Sequence, residues 1–182
     1  MPIPIRMSTI SEVFSGRPRI LIVDDDSDLR LTLCEYLQTR NFIVSSARNG
    51  EEAITLLRAR QHAFDIIFTD LMMEPGPDGL DVLRVAKQLN PLGCVVVMTG
   101  YSSIGTAIES IRNGAFDYVT KPFKLAEIEI LANRIIEYLT LIDDNKRLSS
   151  KLAMVTEKSV SIDQRLERIE TLLSSLIAKS CV

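Results

Sequence analysis

The stretch RILIVDDDSDLRLTLCEYL, residues 19–37, decides the fold because it joins a strand pattern to a helix pattern through three consecutive aspartates. The run RILIV at 19–23 is short, apolar and mostly β-branched, which is typical of a strand buried on both faces. It stops at the aspartates at 24–26, and an apolar stripe then recurs at helical spacing to about residue 40, with Ser27 as the expected N-cap. The stretch therefore predicts a buried strand, an acidic turn and an amphipathic helix.

The same alternation of strand and helix patterns extends outward along the chain. Four further apolar runs predict strands at 42–47, 64–69, 93–98 and 116–120, and helical periodicity is found at 51–61, at 80–89, at 103–113 and after Lys121. Strands that alternate with helices predict an α/β fold whose five strands form a doubly wound parallel sheet, covered by helices on both faces. In sheets of this kind, binding residues collect at the carboxyl ends of the strands.

Polar residues stand where the predicted strands stop, and this shared position predicts a site. Asp24 and Asp25 follow the first strand, Asp70 the third, Thr99 the fourth and Lys121 the fifth. Three crowded carboxylates repel one another, and burying them costs on the order of a few kcal/mol unless cations compensate. Their oxygens suit a hard divalent cation such as Mg²⁺. Lys121 and Thr99 add the cation and the hydroxyl of a phosphoryl-binding site, in which one carboxylate can act as the nucleophile.

Each of these residues also has an ordinary structural explanation when it is taken alone. A run of aspartates commonly caps a helix in solvent, an aspartate after an apolar run is often an N-cap, and a Lys-Pro pair often ends a strand. Their occurrence together at one edge of the predicted sheet favours the site. The single histidine, His62, falls at a predicted helix end or loop and not in this group, so a zinc site is not expected.

Four motifs at the strand ends resemble the receiver domain of bacterial response regulators. They are IVDDD at 22–26, FTDLMM at 68–73, VMTGY at 97–101 and YVTKPF at 118–123. The resemblance covers about residues 18–140, and it implies a flavodoxin-like fold with the strand order 2-1-3-4-5. It also implies a place in two-component signalling, with a phosphoryl group received from a sensor histidine kinase or a phosphotransfer protein.

The resemblance implies roles for individual residues. Asp70 would be the phosphoacceptor, and Lys121 would pair with the phosphoryl oxygens. The implied cofactor is Mg²⁺, held by Asp24, Asp25, Asp70 and the main-chain carbonyl of Met72. These roles imply Mg²⁺-dependent self-phosphorylation and autodephosphorylation, and no further enzymatic activity.

The resemblance also implies a conformational switch. Thr99 would move to the phosphoryl group so that Tyr118 turns inward, and Lys121–Pro122 would be a cis peptide. The helix at 103–113, the strand at 116–120 and the start of the last helix would form the switching face. One departure concerns the loop MEPGPDG at 73–79, which is one residue longer than the usual family pattern. Because of this additional residue, the resemblance does not determine the conformation of the loop or the kinetics of phosphorylation.

After Pro122 the chain contains neither Gly nor Pro, and from Tyr138 it follows a heptad pattern. The a positions are Tyr138, Asn145, Leu152, Ser159, Leu166 and Leu173, and the d positions are Leu141, Leu148, Val155, Ile162, Ile169 and Leu176. This seam predicts a coiled coil, in which Asn145 and Ser159 set the register at some cost in stability. Opposite charges at two g-to-e pairs favour a parallel homodimer. The alternative is an amphipathic helix folded back on the receiver, although a helix of about 55 residues would be about 80 Å long.

Composition limits the remaining function classes. The chain has 182 residues and a net charge of −3, and residues 124–182 contain nine basic and nine acidic side chains without a basic block, so direct nucleic-acid binding is not expected. The cysteines Cys34, Cys94 and Cys181 form neither a CxxC pair nor a metal-binding pattern, which indicates a reducing compartment. No secretory signal or membrane span is predicted, so the expected location is the cytoplasm.

The expected organisation is a flexible N-terminal arm at 1–17, a receiver domain at 18–140 and a coiled-coil extension at 141–182. The expected function is that of a phospho-receiver whose output is contact with a downstream protein, through the switching face and the coiled coil, without a DNA-binding domain. One alternative is a pseudo-receiver scaffold that never takes phosphate. Another is a haloacid-dehalogenase-type phosphatase, but its D-x-D-x-[TV] motif does not match the first acidic turn, and Asp70 would go unexplained.

Overall fold

The structure is a computed structural model that describes residues 17–59, 64–100 and 104–180. Its elements in chain order are β1 Arg19–Val23, α1 Ser27–Thr39, β2 Ile43–Ala47, α2 Gly50–Ala59, β3 Ile66–Asp70, α3 Gly79–Leu89, β4 Cys94–Thr99, α4 Ile104–Arg112, β5 Asp117–Thr120 and α5 Leu125–Ser180. The predicted N-terminal arm, apart from Arg17, lies outside the described residues, and so do His62 and Cys181.

The five strands form one parallel sheet in the order β2-β1-β3-β4-β5. This confirms the predicted α/β fold and its strand order. The central strands β3 and β4 are buried at every position, as expected for continuous apolar runs covered on both faces.

The apolar core lies on both faces of the sheet. Leu21 and Val23 of β1 belong to a buried cluster with apolar side chains of α2 and α3. Ile20 and Ile22 alternate to the opposite face and are completely buried as well. Of the two described cysteines, Cys94 is buried and Cys34 is half-buried. Because neighbouring strands pair in parallel, their carboxyl ends lie side by side at one edge of this packed sheet.

The first turn of α1 differs from the prediction. Its N-cap is Asp26, and Ser27 is instead the first helical residue. One carboxylate oxygen of Asp26 accepts the N–H groups of Asp28 at 2.9 Å and Leu29 at 3.1 Å. These hydrogen bonds favour the ionised form and lower the pKa of Asp26 below its ordinary value. The physical reason for the difference is that a carboxylate one position earlier reaches two N–H groups of the first turn.

Helix α5 is one continuous helix of 56 residues, so the predicted long C-terminal helix is confirmed. The chain divides into two compact units after Glu137. Among the side chains that the structure describes in the second unit, six large apolar ones are between 46% and 69% exposed: Tyr138, Leu141, Leu148, Leu152, Met154 and Ile169. Pairing of this helix in a coiled coil stays a prediction. No helix in the described ranges has both the length and the hydrophobicity that a membrane span requires.

Candidate functional site

Parallel strand ends bring four of the predicted site residues together. The register pairs Val23 of β1 with Thr69 of β3, so Asp24, which follows β1, comes next to Asp70, the last residue of β3. Lys121 directly follows β5, and its side chain reaches Asp24 and Asp70. The edge predicted from the alternation of strands and helices is therefore the place where these groups meet.

The carboxylates of Asp24, Asp25 and Asp70 form one acidic group. One oxygen from each residue lies within 4.8 Å of the corresponding oxygens of the other two. Asp24 and Asp70 are buried, whereas Asp25 is exposed. The group is therefore a pocket with two carboxylates inside and a third at the solvent boundary.

Lys121 supplies positive charge to this pocket. Its Nζ donates hydrogen bonds of 2.8 Å to Oδ2 of Asp24 and to Oδ2 of Asp70. Burial lowers the pKa of the ammonium group, but the hydrogen bonds and charges of the two carboxylates outweigh burial, and the pKa is raised above its ordinary value. The Lys121–Pro122 peptide bond is cis, as the resemblance implies.

The pKa of the Asp24 carboxyl group is raised in spite of these contacts. Burial is the largest influence and raises its pKa; the hydrogen bond and charge of Lys121 act against burial, while the charge of Asp70 adds to it. The other carboxylate oxygen, Oδ1, accepts the N–H of Asp26 at 3.0 Å. Because the net pKa is raised, the surroundings stabilise this carboxylate less than water does. A further cation in the pocket would offset the difference.

Arg30, near the start of α1, is a part of this region that sequence reasoning missed. Its Nη1 donates to the main-chain carbonyl of Asp24 at 2.6 Å and to that of Asp25 at 3.5 Å. Its backbone N–H donates to the carbonyl of Asp26 at 3.0 Å. The sequence feature that could have indicated Arg30 is a basic residue six positions after the first aspartate, Asp24. A helical arginine usually belongs to a solvated face, so the spacing alone does not single it out.

The remaining predicted residues occupy β4, β5 and the segment after β3. Thr99 is the last residue of β4 and is buried, and its carbonyl accepts the N–H of Lys121 at 2.8 Å. Tyr118 lies opposite Val97 in the register of β4 and β5 and is exposed. Met72 follows β3 with an exposed side chain. The roles expected of Thr99, Tyr118 and Met72 stay predictions.

The loop that follows Asp70 is closely packed against neighbouring backbone at two glycines. A Cβ at Gly79, the first residue of α3, would lie 2.1 Å from the carbonyl oxygen of Asp70. A Cβ at Gly50, the first residue of α2, would lie 2.1 Å from the carbonyl oxygen of Pro77. Both positions require glycine because any side chain would overlap the neighbouring backbone. The longer loop is thus anchored at its end against α2 and against the phosphoacceptor candidate itself.

The chemistry of the pocket fits a hard divalent cation. Among the described residues, its possible ligands are carboxylate oxygens, with neither histidine nor cysteine in the group. Three ionised carboxylates and one ammonium leave a formal charge of −2, which a divalent cation would balance. Asp25 lies at the surface of the pocket, so a hydrated cation has access from solvent.

Comparisons with known proteins agree with this geometry. A family model described as the response regulator receiver domain matches residues 20–133. A putative response regulator, NtrX-like, from Rickettsia bellii is 34% identical over 138 residues, which is 76% of this chain and 29% of that protein. The C4-dicarboxylate transport transcriptional regulatory protein DctD of Rhizobium meliloti is 31% identical over 164 residues, which is 89% of this chain and 35% of that protein. The chain therefore spans about a third of the length of these curated relatives.

Solved structures show the same likeness. The crystal structure of a response regulator receiver domain protein from Clostridium thermocellum matches with a TM-score of 0.64 at 28% identity, over 69% of this chain and 98% of that chain. The similarity to that structure extends over nearly all of its length.

Proposed function

The chain belongs to the response regulator receiver family, and on that premise we propose that it is a phospho-receiver in two-component signalling with Asp70 as its phosphoacceptor. The proposed donor is the phosphohistidine of a sensor histidine kinase or of a phosphotransfer protein. The observation that carries the proposal is the contact of Lys121 with both Asp70 and Asp24 at 2.8 Å. This contact puts a nucleophile, a cation and a second carboxylate within one hydrogen-bonded group.

The proposed transfer requires little from the protein beyond positioning and charge. A carboxylate oxygen of Asp70 attacks the phosphorus, an O–P bond forms, the P–N bond to the donor histidine breaks, and the histidine nitrogen keeps the electron pair. Lys121 is placed to pair with the oxygens of the transferred group, because its Nζ already contacts a carboxylate oxygen of Asp70. Mg²⁺, held by Asp24, Asp25, Asp70 and the carbonyl of Met72, would neutralise charge on the phosphoryl oxygens.

The proposed output is contact with a downstream protein, and the proposed location is the cytoplasm. Thr99 would move toward the phosphoryl group, and Tyr118 would turn inward from its exposed position on β5. Two apolar side chains of α4, Ile108 and Ile111, are exposed and would belong to the switching face. The proposed activity is limited to self-phosphorylation and autodephosphorylation.

We further propose that the tail forms a parallel homodimer through its heptad seam. Leu141, Leu148 and Leu152, all at a or d positions, are exposed in the single chain. A run of exposed leucines on one stripe of a helix is unfavourable in water and is typical of a helix that pairs.

A receiver-like scaffold that takes no phosphate is the second candidate. The observation in its favour is the additional residue in the loop at 73–79, which follows the proposed phosphoacceptor. The group formed by Asp24, Asp25, Asp70 and Lys121 argues against it, because a scaffold has no need for a buried, charged pocket.

Phosphorylation with acetyl phosphate and Mg²⁺, followed by intact mass spectrometry, tests the proposal. The native protein should gain one phosphoryl group, and Asp70→Asn should gain none. The matched control is Asp65→Asn. Asp65 directly precedes the first residue of β3, and its side chain accepts a hydrogen bond from the backbone N–H of Arg19. This variant should be phosphorylated normally. A native protein that never labels would support the scaffold, and equal labelling of Asp70→Asn would place the acceptor elsewhere.

A further inference from the structure

We propose that Arg30 is a positioning residue for the acidic pocket. It would hold the backbone at 24–26 so that the carboxylates of Asp24 and Asp25 converge with Asp70 on one cation. The inference rests on the proposed function, because it takes this pocket to be the Mg²⁺ and phosphoryl site. It adds a residue outside the ligand set to the machinery of that site.

The contacts of Arg30 close the acidic turn from one side. Its guanidinium donates a short, charge-assisted hydrogen bond to the carbonyl of Asp24, at 2.6 Å, and lies 3.5 Å from the carbonyl of Asp25. Its backbone N–H donates to the carbonyl of Asp26 at 3.0 Å. The side chain therefore binds the carbonyls of Asp24 and Asp25, whereas the bond to Asp26 is the first i→i−4 bond of α1 and does not depend on the arginine side chain.

The turn needs such support because its side chains repel one another. Asp24 is already held through its carboxylate, which accepts from Lys121 and from the N–H of Asp26. Asp25 is exposed, so the direction of its side chain depends on the backbone that carries it. The bonds of Arg30 act on that backbone and leave the carboxylate oxygens available to a cation.

Two effects of Arg30 on cation binding have opposite signs, and this makes its role measurable. As a positive charge near the pocket, Arg30 repels Mg²⁺, so its removal would tighten binding. As a positioning group, it orders the ligands, so its removal would weaken binding. We expect positioning to dominate, because a half-exposed guanidinium is screened by solvent and salt. Loss of an outer-shell contact typically weakens metal binding by about tenfold or more.

The test compares Arg30→Ala and Arg30→Lys with Arg84→Ala in the full chain. Arg84 is the matched control, because it also lies on a helix and makes a local contact, at 2.6 Å to Asp81. Titration calorimetry at low and high salt should show Mg²⁺ binding about tenfold weaker in Arg30→Ala at both ionic strengths. Arg30→Lys should be intermediate, since one donor and the charge remain, and Arg84→Ala should be unchanged.

Two further measurements separate positioning from general loss of structure. In the Mg²⁺-free protein, the amide of Asp26, which donates to Asp24 Oδ1, should exchange with solvent faster in Arg30→Ala than in the native chain. Labelling by acetyl phosphate should be slow at low Mg²⁺ and should recover at saturating Mg²⁺. If Arg30→Ala fails to fold, Arg30→Lys decides the question by the same measurements.

Unchanged or tighter Mg²⁺ binding in the Arg30 variants would overturn the positioning role while leaving the proposed function intact. Binding that tightens at low salt and is unchanged at high salt would overturn it as well, because relief of charge repulsion has that sign and is screened by salt. A native protein that neither binds Mg²⁺ nor accepts phosphate would contradict the proposed function itself, and the role of Arg30 with it.

Discussion

The pocket at the sheet edge buries charged groups, whereas the tail after Tyr138 exposes apolar ones. In the pocket, the buried Asp24 and Asp70 share the ammonium of Lys121, and each charge has an opposite charge from the same chain. In the tail, Leu148 and Leu152 are 64% and 69% exposed. The residues of the pocket thus neutralise only part of its negative charge and leave it suited to a cation, whereas the tail is suited to a partner of the same kind. This difference predicts that damage to one region leaves the function of the other unchanged.

The largest expected effect is on the tail. Replacing both Leu148 and Leu152 with Lys puts charges into the seam, and burying each one costs on the order of several kcal/mol, so the dimer should become a monomer. Met154 is the matched control, because it is 65% exposed but occupies a c position outside the seam; Met154→Lys should stay dimeric. Light scattering gives the mass, and acetyl phosphate should label all three proteins equally. A native monomer would instead favour a solitary amphipathic helix, and dissociation of Met154→Lys would refute the seam.

The next effect is on the pocket, and it should leave the dimer intact. Asp25→Ala removes one proposed cation ligand and also relieves repulsion from Asp24 and Asp70. We expect Mg²⁺ binding to weaken by about 10- to 100-fold, with no loss of stability in the Mg²⁺-free protein. Titration calorimetry measures the Mg²⁺ affinity, and thermal unfolding measures the stability of the Mg²⁺-free protein. Unchanged affinity would remove Asp25 from the ligand set.

The pH dependence of stability should report the pairing of Lys121. Its pKa in the folded protein is raised above the ordinary 10.5, so the folded state holds this proton more tightly than the unfolded state. The stabilisation is complete below 10.5 and is lost as the pH rises through the folded value. The difference in unfolding free energy between the native protein and Lys121→Met, about 1–3 kcal/mol at neutral pH, should therefore shrink in alkaline solution.

The exposed Lys124 provides the control for that measurement. Lys124→Met should follow the native protein in urea unfolding at every pH. A difference between native and Lys121→Met that stays constant through alkaline pH would show that the two carboxylates do not hold the Lys121 proton.

The smallest effect concerns the first turns of α5. The Tyr36 hydroxyl donates to Oε2 of Glu129 at 2.6 Å and so joins α1 to α5 within the first unit. Tyr36→Phe should lower the free energy of unfolding by about 1 kcal/mol without changing the oligomeric state, whereas Tyr118→Phe, on an exposed side chain, should not destabilise the chain. Equal losses in both variants would mean that the hydrogen bond to Glu129 contributes nothing.

Much of the fold and the pocket was predictable because both depend on where apolar runs stop. Asp24 follows the buried part of β1, Asp70 ends the buried strand β3, and Lys121 follows the less buried edge strand β5. The parallel arrangement brings them to one edge. Other features depend on side-chain direction, which spacing does not reveal. The choice of Asp26 over Ser27 as N-cap is one such feature.

The contacts of Arg30 and the close approach of Gly79 to Asp70 are further features of this kind. The Arg30 side chain turns back over the loop that precedes its helix. Gly79 brings the backbone of α3 against the backbone of β3. Neither leaves a periodic signal in the sequence. Pairing of the tail lies beyond the single chain, although the heptad pattern predicts it.

The most direct test of the account is to locate the phosphoryl group by chemistry. After phosphorylation with acetyl phosphate and Mg²⁺, borohydride reduces an aspartyl phosphate to homoserine, and peptide mass spectrometry then reads the position. We expect homoserine at position 70 and at no other aspartate, both in the native protein and in the tail variant with Lys at 148 and 152. Homoserine at position 24 or 25, or a phosphorylated protein that yields none, would contradict it.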